Sequence, residues 1–413
     1  MMMTKKEKKR VPELRFEGFE GEWLMKEFKE VVKINQGLQI PIADRLLEYQ
    51  EGTLFYITNE FLKPNSEKRY YIKNASKTVI CNKDDILMTR TGNTGKVVTN
   101  VEGAFHNNFF RIAYPEYIQK EFLFNFLILP KTQDFIIRLA GTSTIPDLNH
   151  SDFYKIKFIY PSLSEQQKIA TFLTSIDTRI QQLEKKKTLL EEYKKGVMQQ
   201  IFNQEIRFKS DDGEEFGEWE EKRLGDIGFF KTSSVDKLSY ENDKEVFLVN
   251  YMNVYRHEEI NNESVKKFQV VTANENQILS TNLLKGDILF TPSSETPSDI
   301  GHSVVISEDI DNAVYSYHLM RFRPNIKIDI LYSHYFCNIP SVLKQLSRFS
   351  TGSTRYTISV SSFSKVKVQL PCLEEQTKIA HFLSALDRKI AVVDEQIEGT
   401  KEWKKGVLQK MFV

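Results

Sequence analysis

Residues 161–173 read P-S-L-S-E-Q-Q-K-I-A-T-F-L, and residues 371–383 read P-C-L-E-E-Q-T-K-I-A-H-F-L. The match runs without a gap to Phe202 and Phe412 at a constant offset of 210 residues, with eighteen of forty-two positions identical and Lys-Lys-Gly-Val near both ends (Lys194 to Val197, Lys404 to Val407). Unrelated amphipathic helices share polarity, not the same Pro, Glu-Gln, Phe-Leu, Asp and Lys-Lys-Gly-Val at one spacing, so the chain carries an internal duplication. Both stretches have a seven-residue apolar rhythm: Ile169, Leu173, Ile176, Ile180, Leu183, Leu190, Val197 and Ile201 in the first, Ile379, Leu383, Leu386, Ile390, Val393, Ile397, Val407 and Met411 in the second. Helices of roughly 40 residues span about 60 Å at about 1.5 Å per residue, too long for burial in a small domain, so each seam needs the other. Acidic residues near both starts suit the helix dipole, and Pro161 and Pro371 end whatever strand precedes. Gly196 and Gly406 each cost about 1 kcal/mol relative to Ala inside a helix, which predicts close approach of the other helix or of a partner. The basic ends Lys194-Lys195 and Lys404-Lys405 suit a helix C-terminus better than they indicate phosphate contact.

Working outward, each helix follows a block of mixed strand and loop character, and the blocks correspond more faintly. Both open with Arg-Phe and Gly-Glu-Trp (Arg15-Phe16 with Gly21-Glu22-Trp23, Arg207-Phe208 with Gly217-Glu218-Trp219). Both then start a strand on Asp-Ile-Leu, at Asp85 and Asp287, where the acid closes a turn. Polar loops follow at residues 90–96 and 292–302, and again at 141–144 and 352–355. Alternating strands are expected through Phe153, Ile156 and Phe158 and through Phe363, Val366 and Val368. The expected fold class is α+β: two mixed α/β globules with strand-built platforms and variable loops, separated by two long helices in a pseudo-two-fold repeat. The expected division is a basic tail and lead-in over 1–20, a globule over 21–160, helix over 161–208, a second globule over 209–370 and helix over 371–413.

A chain of 413 residues exceeds one ordinary core. Its net charge is only +1, from 57 Lys and Arg against 56 Asp and Glu, so no global basic field marks a polyanion binder and any polyanion is met locally or with a partner's charges. Cys81, Cys337 and Cys372 lack zinc-type spacing, which points to free thiols in a reducing, cytoplasmic setting and to no bound metal. The basic start has no apolar core of a signal peptide, and no apolar run reaches the roughly 18 residues that a membrane span requires.

The helix entry P-x-L-x-E-Q-x-K-I-A-x-F-L and exit E-[YW]-K-K-G-V, each present twice, closely resemble those of the specificity subunit of Type I restriction-modification enzymes, and the resemblance covers nearly the whole chain. The resemblance implies that the helices pair as an antiparallel coiled coil and that the globules are target recognition domains, each reading one half of a bipartite double-stranded DNA site. It implies that the helix pair sets the spacer and docks two modification (methyltransferase) subunits, and through them the restriction/translocase subunits. Catalysis belongs to those partners, which use AdoMet, ATP and Mg²⁺; no cofactor is expected on this chain.

The residues are compatible with that role. Half-sites read from one face of DNA lie about one turn, roughly 34 Å, or a small multiple apart, which a 60 Å helix pair can span. Donor-rich loops carry candidate side chains of the types that donate to base edges or phosphate: Arg90, Thr91, Asn93, Thr94, Lys96, His106, Asn107, Asn108, Thr142, Ser143 and Thr144 in the first block. The second block offers Ser293, Ser294, Thr296, His302, His318, Arg348, Ser353, Thr354, Arg355 and Tyr356. Plain solvated turns have the same composition, and beside Phe105, Phe109 and Phe110 at least one polar side chain is expected to serve the backbone. No Asn-Pro-Pro-Tyr tetrapeptide, Gly-rich AdoMet loop or Walker motif occurs, and Gly92-Asn-Thr-Gly95-Lys96 has the wrong spacing for a phosphate loop. A self-contained nuclease or methyltransferase with cryptic motifs, or a coiled-coil scaffold that binds protein, remain the alternatives.

Overall fold

The computed structural model describes residues 9–63, 66–141, 144–237 and 243–413. The chain forms two compact units: the first runs to Glu184 and resumes at Glu395, and the second spans Lys185–Asp394. Each unit thus holds one globule, the N-terminal half of one long helix and the C-terminal half of the other.

In chain order the first unit contributes β1 (Leu24–Glu27), β2 (Lys33–Gln36), β3 (Leu54–Ile57), β4 (Ile86–Thr89), β5 (Val97–Val98), β6 (Gly103–Phe105) and β7 (Phe109–Ala113). Helices α1 (Lys120–Ile128), α2 (Pro130–Ala140) and α3 (His150–Phe153) follow, then β8 (Lys157–Tyr160) and the long α4 (Leu163–Phe202). The second unit repeats the order with β9 (Glu220–Arg223), β10 (Gly228–Thr232), β11 (Lys244–Val249), β12 (Ile288–Phe290), β13 (Ser303–Val305), β14 (Ala313–Tyr315) and β15 (Met320–Pro324). Then come α5 (Ile330–Phe336), α6 (Pro340–Phe349), α7 (Val360–Phe363), β16 (Lys367–Leu370) and α8 (Leu373–Met411).

The pairing repeats as well. β1 pairs antiparallel with β8, and β9 with β16, closing the ends of each globule. The main sheets run β2-β7-β4-β5 and β10-β15-β12-β13. A smaller sheet in each unit contains the parallel pairs β3 with β6 and β11 with β14. Asp85 and Asp287 close the turns before β4 and β12, accepting from Asn82 N at 2.9 Å and Leu284 N at 2.8 Å. The alternating strands expected through Phe153 and Phe363 are shorter than expected. Asn149 and Ser359 accept from Asp152 N and Ser362 N, so both phenylalanines end a capped helical turn and enter the core from it.

Helix pairing inside each unit is antiparallel. Ile169, Leu173, Ile176 and Ile180 share the first core with Val407, Leu408 and Met411, while Ile379, Leu383 and Leu386 share the second with Val197 and Ile201. Leu183 and Val393 are buried too, and Ile390 is half-buried beside Lys194 and Met198. Lys404 meets Asp177 in one unit and Lys194 meets Asp387 in the other, both at 2.5 Å. These lysines therefore bind a carboxylate of the facing helix, not the carbonyls at their own helix end. A Cβ built on Gly196 or Gly406 meets nothing within 4 Å among the described residues, which removes close helix–helix approach as their explanation.

The repeated Glu-Gln has a physical reason beyond the helix dipole. Glu165 accepts from Arg15 Nε and Nη2 at 2.8 Å and from Trp23 Nε1 at 3.3 Å; Glu375 does the same for Arg207 and Trp219. Gln166 accepts from Gln119 N at 2.9 Å and donates to Pro161 O, and Gln376 accepts from Asp329 N at 2.9 Å and donates to Pro371 O. One dipeptide thus fixes the lead-in, the globule and the helix start to one another, and its buried polar atoms are paired.

Candidate nucleic-acid interface

In both units the fold brings the two polar loops together, through equivalent backbone contacts. Leu148 N donates to Arg90 O at 2.8 Å, and Ile358 N donates to Pro292 O at 2.9 Å. What surrounds these contacts differs.

In the first unit the Arg90 guanidinium binds Asp147 at 2.7 Å, and Thr94 Oγ1 donates to Arg90 O at 3.1 Å and to Pro146 O at 2.5 Å. Thr91 bridges to Asp147, so Arg90, Thr91 and Thr94 stitch the loops. Arg90 N donates to Asn108 O, and Asn59 Nδ2 donates to Gly92 O at 2.7 Å, drawing two more segments to the same end of the sheets. Asn93, at φ 100, and Lys96 and Thr144 are exposed; Lys96 Nζ reaches back to Leu62 O at 3.0 Å. Thr142 and Ser143 lie outside the described residues. His106 Nδ1 accepts from Asn108 N at 3.1 Å, and burial, reinforced by the Arg45 cation, pushes the imidazole down to about 4, so it is neutral near pH 7. Asn107 Nδ2 donates to Gln39 Oε1. The loop carrying Gln39 is held by Arg45, whose guanidinium lies 5.3 Å from the Tyr56 ring centre and 5.4 Å from that of Tyr70.

In the second unit a short ladder joins the loops, with Ser293 opposite Thr357 and Ser294 opposite Tyr356. Ser293 and Ser294 are buried by it, while Thr296, Arg348, Ser353, Thr354 and Arg355 are exposed. Arg355 Nη2 donates to Ser293 Oγ at 3.1 Å. His318 packs on Tyr317, and burial first, then the Arg355 and Lys237 cations, lower its proton affinity. His302 binds Asp299 at 2.9 Å. Tyr251, Ser294, Glu295, Asp299 and Arg355 line a cleft of about 250 Å³.

Several contributors escaped the sequence reading. Tyr251 and Tyr255 stack with ring centres 5.8 Å apart on a helical turn, Tyr251 donates to Ser293 O, and Tyr255 donates to Asp299. Two tyrosines four residues apart behind Asn250, which forms a capping box with Asn253, were the available signal. Gln39, Arg45 and Asn59 had none, because their roles depend on contacts distant in sequence. No group of three or more potential metal ligands occurs among the described residues, and no helix there is long and apolar enough to cross a membrane.

Comparison with known proteins gives a consistent match. A family model described as Type I restriction modification DNA specificity domain matches residues 20–192 and again 217–400. The MjaVIII Type I restriction enzyme specificity subunit of Methanocaldococcus jannaschii is 26% identical over 375 residues, covering 88% of this chain and 86% of its own. The Type I restriction-modification S subunit from M. genitalium superimposes with a TM-score of 0.56 at 15% identity over 98% of this chain and 99% of that one. A structure described in terms of complex assembly and conformational transition of the type I R-M system gives 0.58 at 16% identity, covering 94% and 97%.

Proposed function

Because the chain belongs to the Type I restriction-modification DNA specificity family, and is a DNA-recognition component and not a catalytic one, we propose that each of its units reads one half of a bipartite DNA site. The carrying observation is the equivalent joining of two polar loops in each unit by Leu148 N to Arg90 O and Ile358 N to Pro292 O, with different side chains around each joint. A common frame under unlike surfaces is what two readers of unlike half-sites require, since backbone geometry positions and side chains specify.

The paired helices set the spacer and dock two modification subunits. Supporting this, Tyr193 and Trp403, at the same repeat position, remain 55% and 53% exposed on the two long helices, where Leu189 and Val392 are exposed as well. Exposed aromatics are typical anchors of protein interfaces. Restriction/translocase subunits join through that complex, and AdoMet, ATP and Mg²⁺ serve the partners. With a net charge of +1 the isolated chain binds DNA weakly and in a salt-sensitive way, and the partners supply most of the phosphate neutralisation that tightens it.

Methylome sequencing of cells expressing the chain with its modification subunit tests the proposal. One bipartite adenine-methylated motif is expected, and replacing residues 351–357 is expected to change one half of it while keeping the other. A contiguous motif, or loss of both halves with the complex intact, would overturn it.

A further inference from the structure

Two histidines of the second unit stand in a hydrogen-bonded row whose proton count does not balance. Asp299 Oδ1 faces His302 Nε2 at 2.9 Å, His302 Nδ1 faces His257 Nε2 at 3.2 Å, and His257 Nδ1 faces the Ser303 carbonyl oxygen at 3.2 Å. Both ends of the row are acceptors, so each of the three contacts needs its own proton. Two neutral imidazoles carry two. One contact stays acceptor against acceptor until a third proton arrives, and that proton turns the histidine pair into a cation beside the Asp299 carboxylate.

The row opens onto the candidate interface. Asp299 and His302 side chains are 45% and 26% exposed, and Asp299 lines the cleft together with Glu295 and Arg355. Around it, Tyr255 Oη donates to Asp299 Oδ2 at 3.2 Å, and Asn338 Nδ2 reaches the Ser303 carbonyl at 3.4 Å. His334 on α5 is coupled electrostatically to His257, and is itself held down by burial, with Asp387 and Lys194 acting on it in opposite senses. Burial keeps the His257 imidazole below its ordinary range, a trend the Ser303 contact opposes and His302 reinforces, so His257 is neutral near pH 7.

DNA over this cleft would place phosphate charge and acceptor-rich base edges against Asp299; the displaced water works against a nearby cation, and the gathered negative charge of phosphate and carboxylate outweighs it. We infer that DNA binding to the second unit drives uptake of one proton by the His257–His302 row, making recognition of its half-site proton-linked. This rests on the reading that the unit binds DNA. The sign follows from linkage: proton affinity is higher in the complex than in the free protein, so the extra binding energy is fully present below the free-state pKa and disappears as pH rises through the value in the complex.

The test uses the chain co-purified with its modification subunit and a fluorescent duplex carrying the motif found by methylome sequencing, titrated at constant salt from about pH 5.5 to about pH 8.5, bracketing the ordinary histidine range. Affinity of the wild type is expected to fall with rising pH by up to about tenfold per pH unit, the limit for one proton. His257→Gln and His302→Gln are expected to flatten that dependence. The change at 257 leaves the cleft lining in place, so that variant retains site preference over a scrambled duplex; the variant at 302, a candidate contact residue, is read on its pH slope alone. Identical pH profiles for the wild type and both variants overturn the inference. A wild-type complex with no preference for the motif at any pH sinks the DNA-reading proposal beneath it.

Discussion

Trp219 and Glu375, 156 residues apart, are joined by an indole-to-carboxylate hydrogen bond of 3.0 Å. The carboxylate side chain is fully buried, and Arg207 supplies the compensating charge at 2.8 Å. Removing one member of such a pair strands the other, a loss of about 3 kcal/mol or more, whereas an exposed ion pair is worth about 1 kcal/mol or less. Arg207→Ala, which leaves the buried Glu375 carboxylate without its counter-charge, is therefore expected to lower the urea midpoint of the second unit strongly, and Asp394→Ala, which removes the exposed partner of Lys187, to move it little. Equal shifts in denaturation curves would refute this ranking.

The duplication, the helix seams and the turn-closing Asp85 and Asp287 were legible in the sequence because they are local or periodic. The lock of Arg15 and Trp23 onto Glu165 was visible only as recurring letters, since nothing in the spacing says that residues 150 apart meet. At the interface, the loops were identifiable by composition, but composition does not separate a side chain that stitches loops from one that projects. Thr94 is spent on Arg90 and Pro146, and Ser293 and Ser294 are covered by a ladder, whereas Arg348 and Ser353 project outward. Phe153 and Phe363 misled the strand reading because one capped helical turn buries a phenylalanine as well as an alternating strand does.

His106 gives the first unit a pH dependence with a defined sign. Its folded-state pKa is depressed to about 4, chiefly by burial and then by Arg45, from an unfolded value near 6.5. A histidine held neutral only in the folded state costs nothing above the unfolded pKa. Stability falls as pH drops from about 6.5 towards about 4, because the unfolded chain takes up the proton first. Thermal melts across that window should show the first unit weakening, and His106→Asn, which cannot be protonated there, should flatten the trend.

Arg355 and Lys96 are expected to act differently on DNA. Arg355 projects from the second unit's joined loops beside the cleft; with its guanidinium proposed to read a base edge, its loss should cost about 1–3 kcal/mol and relax one position of that half-site. Lys96, an exposed cation on a turn, should weaken binding of all sequences alike and reduce the salt slope by about one. Binding of the assembled complex to single-base-substituted duplexes at several salt concentrations separates the two patterns.

Gly196 and Gly406 offer the sharpest contrast between folding and assembly. Glycine inside a helix costs about 1 kcal/mol relative to Ala, and a methyl group at either position meets no neighbour within 4 Å among the described residues. In the isolated chain, then, Gly196→Ala and Gly406→Ala should each raise stability by about 0.5–1 kcal/mol. Both glycines follow an exposed aromatic, Tyr193 or Trp403, by three residues, which puts them on the surface proposed for the modification subunits. A partner backbone seated there leaves no room for a methyl, so the variant that folds better should assemble worse. Calorimetric melts of the chain alone, set beside titrations with the modification subunit, read the two effects separately. A double variant that is both more stable and fully competent in assembly would show that no partner approaches the helices at these positions.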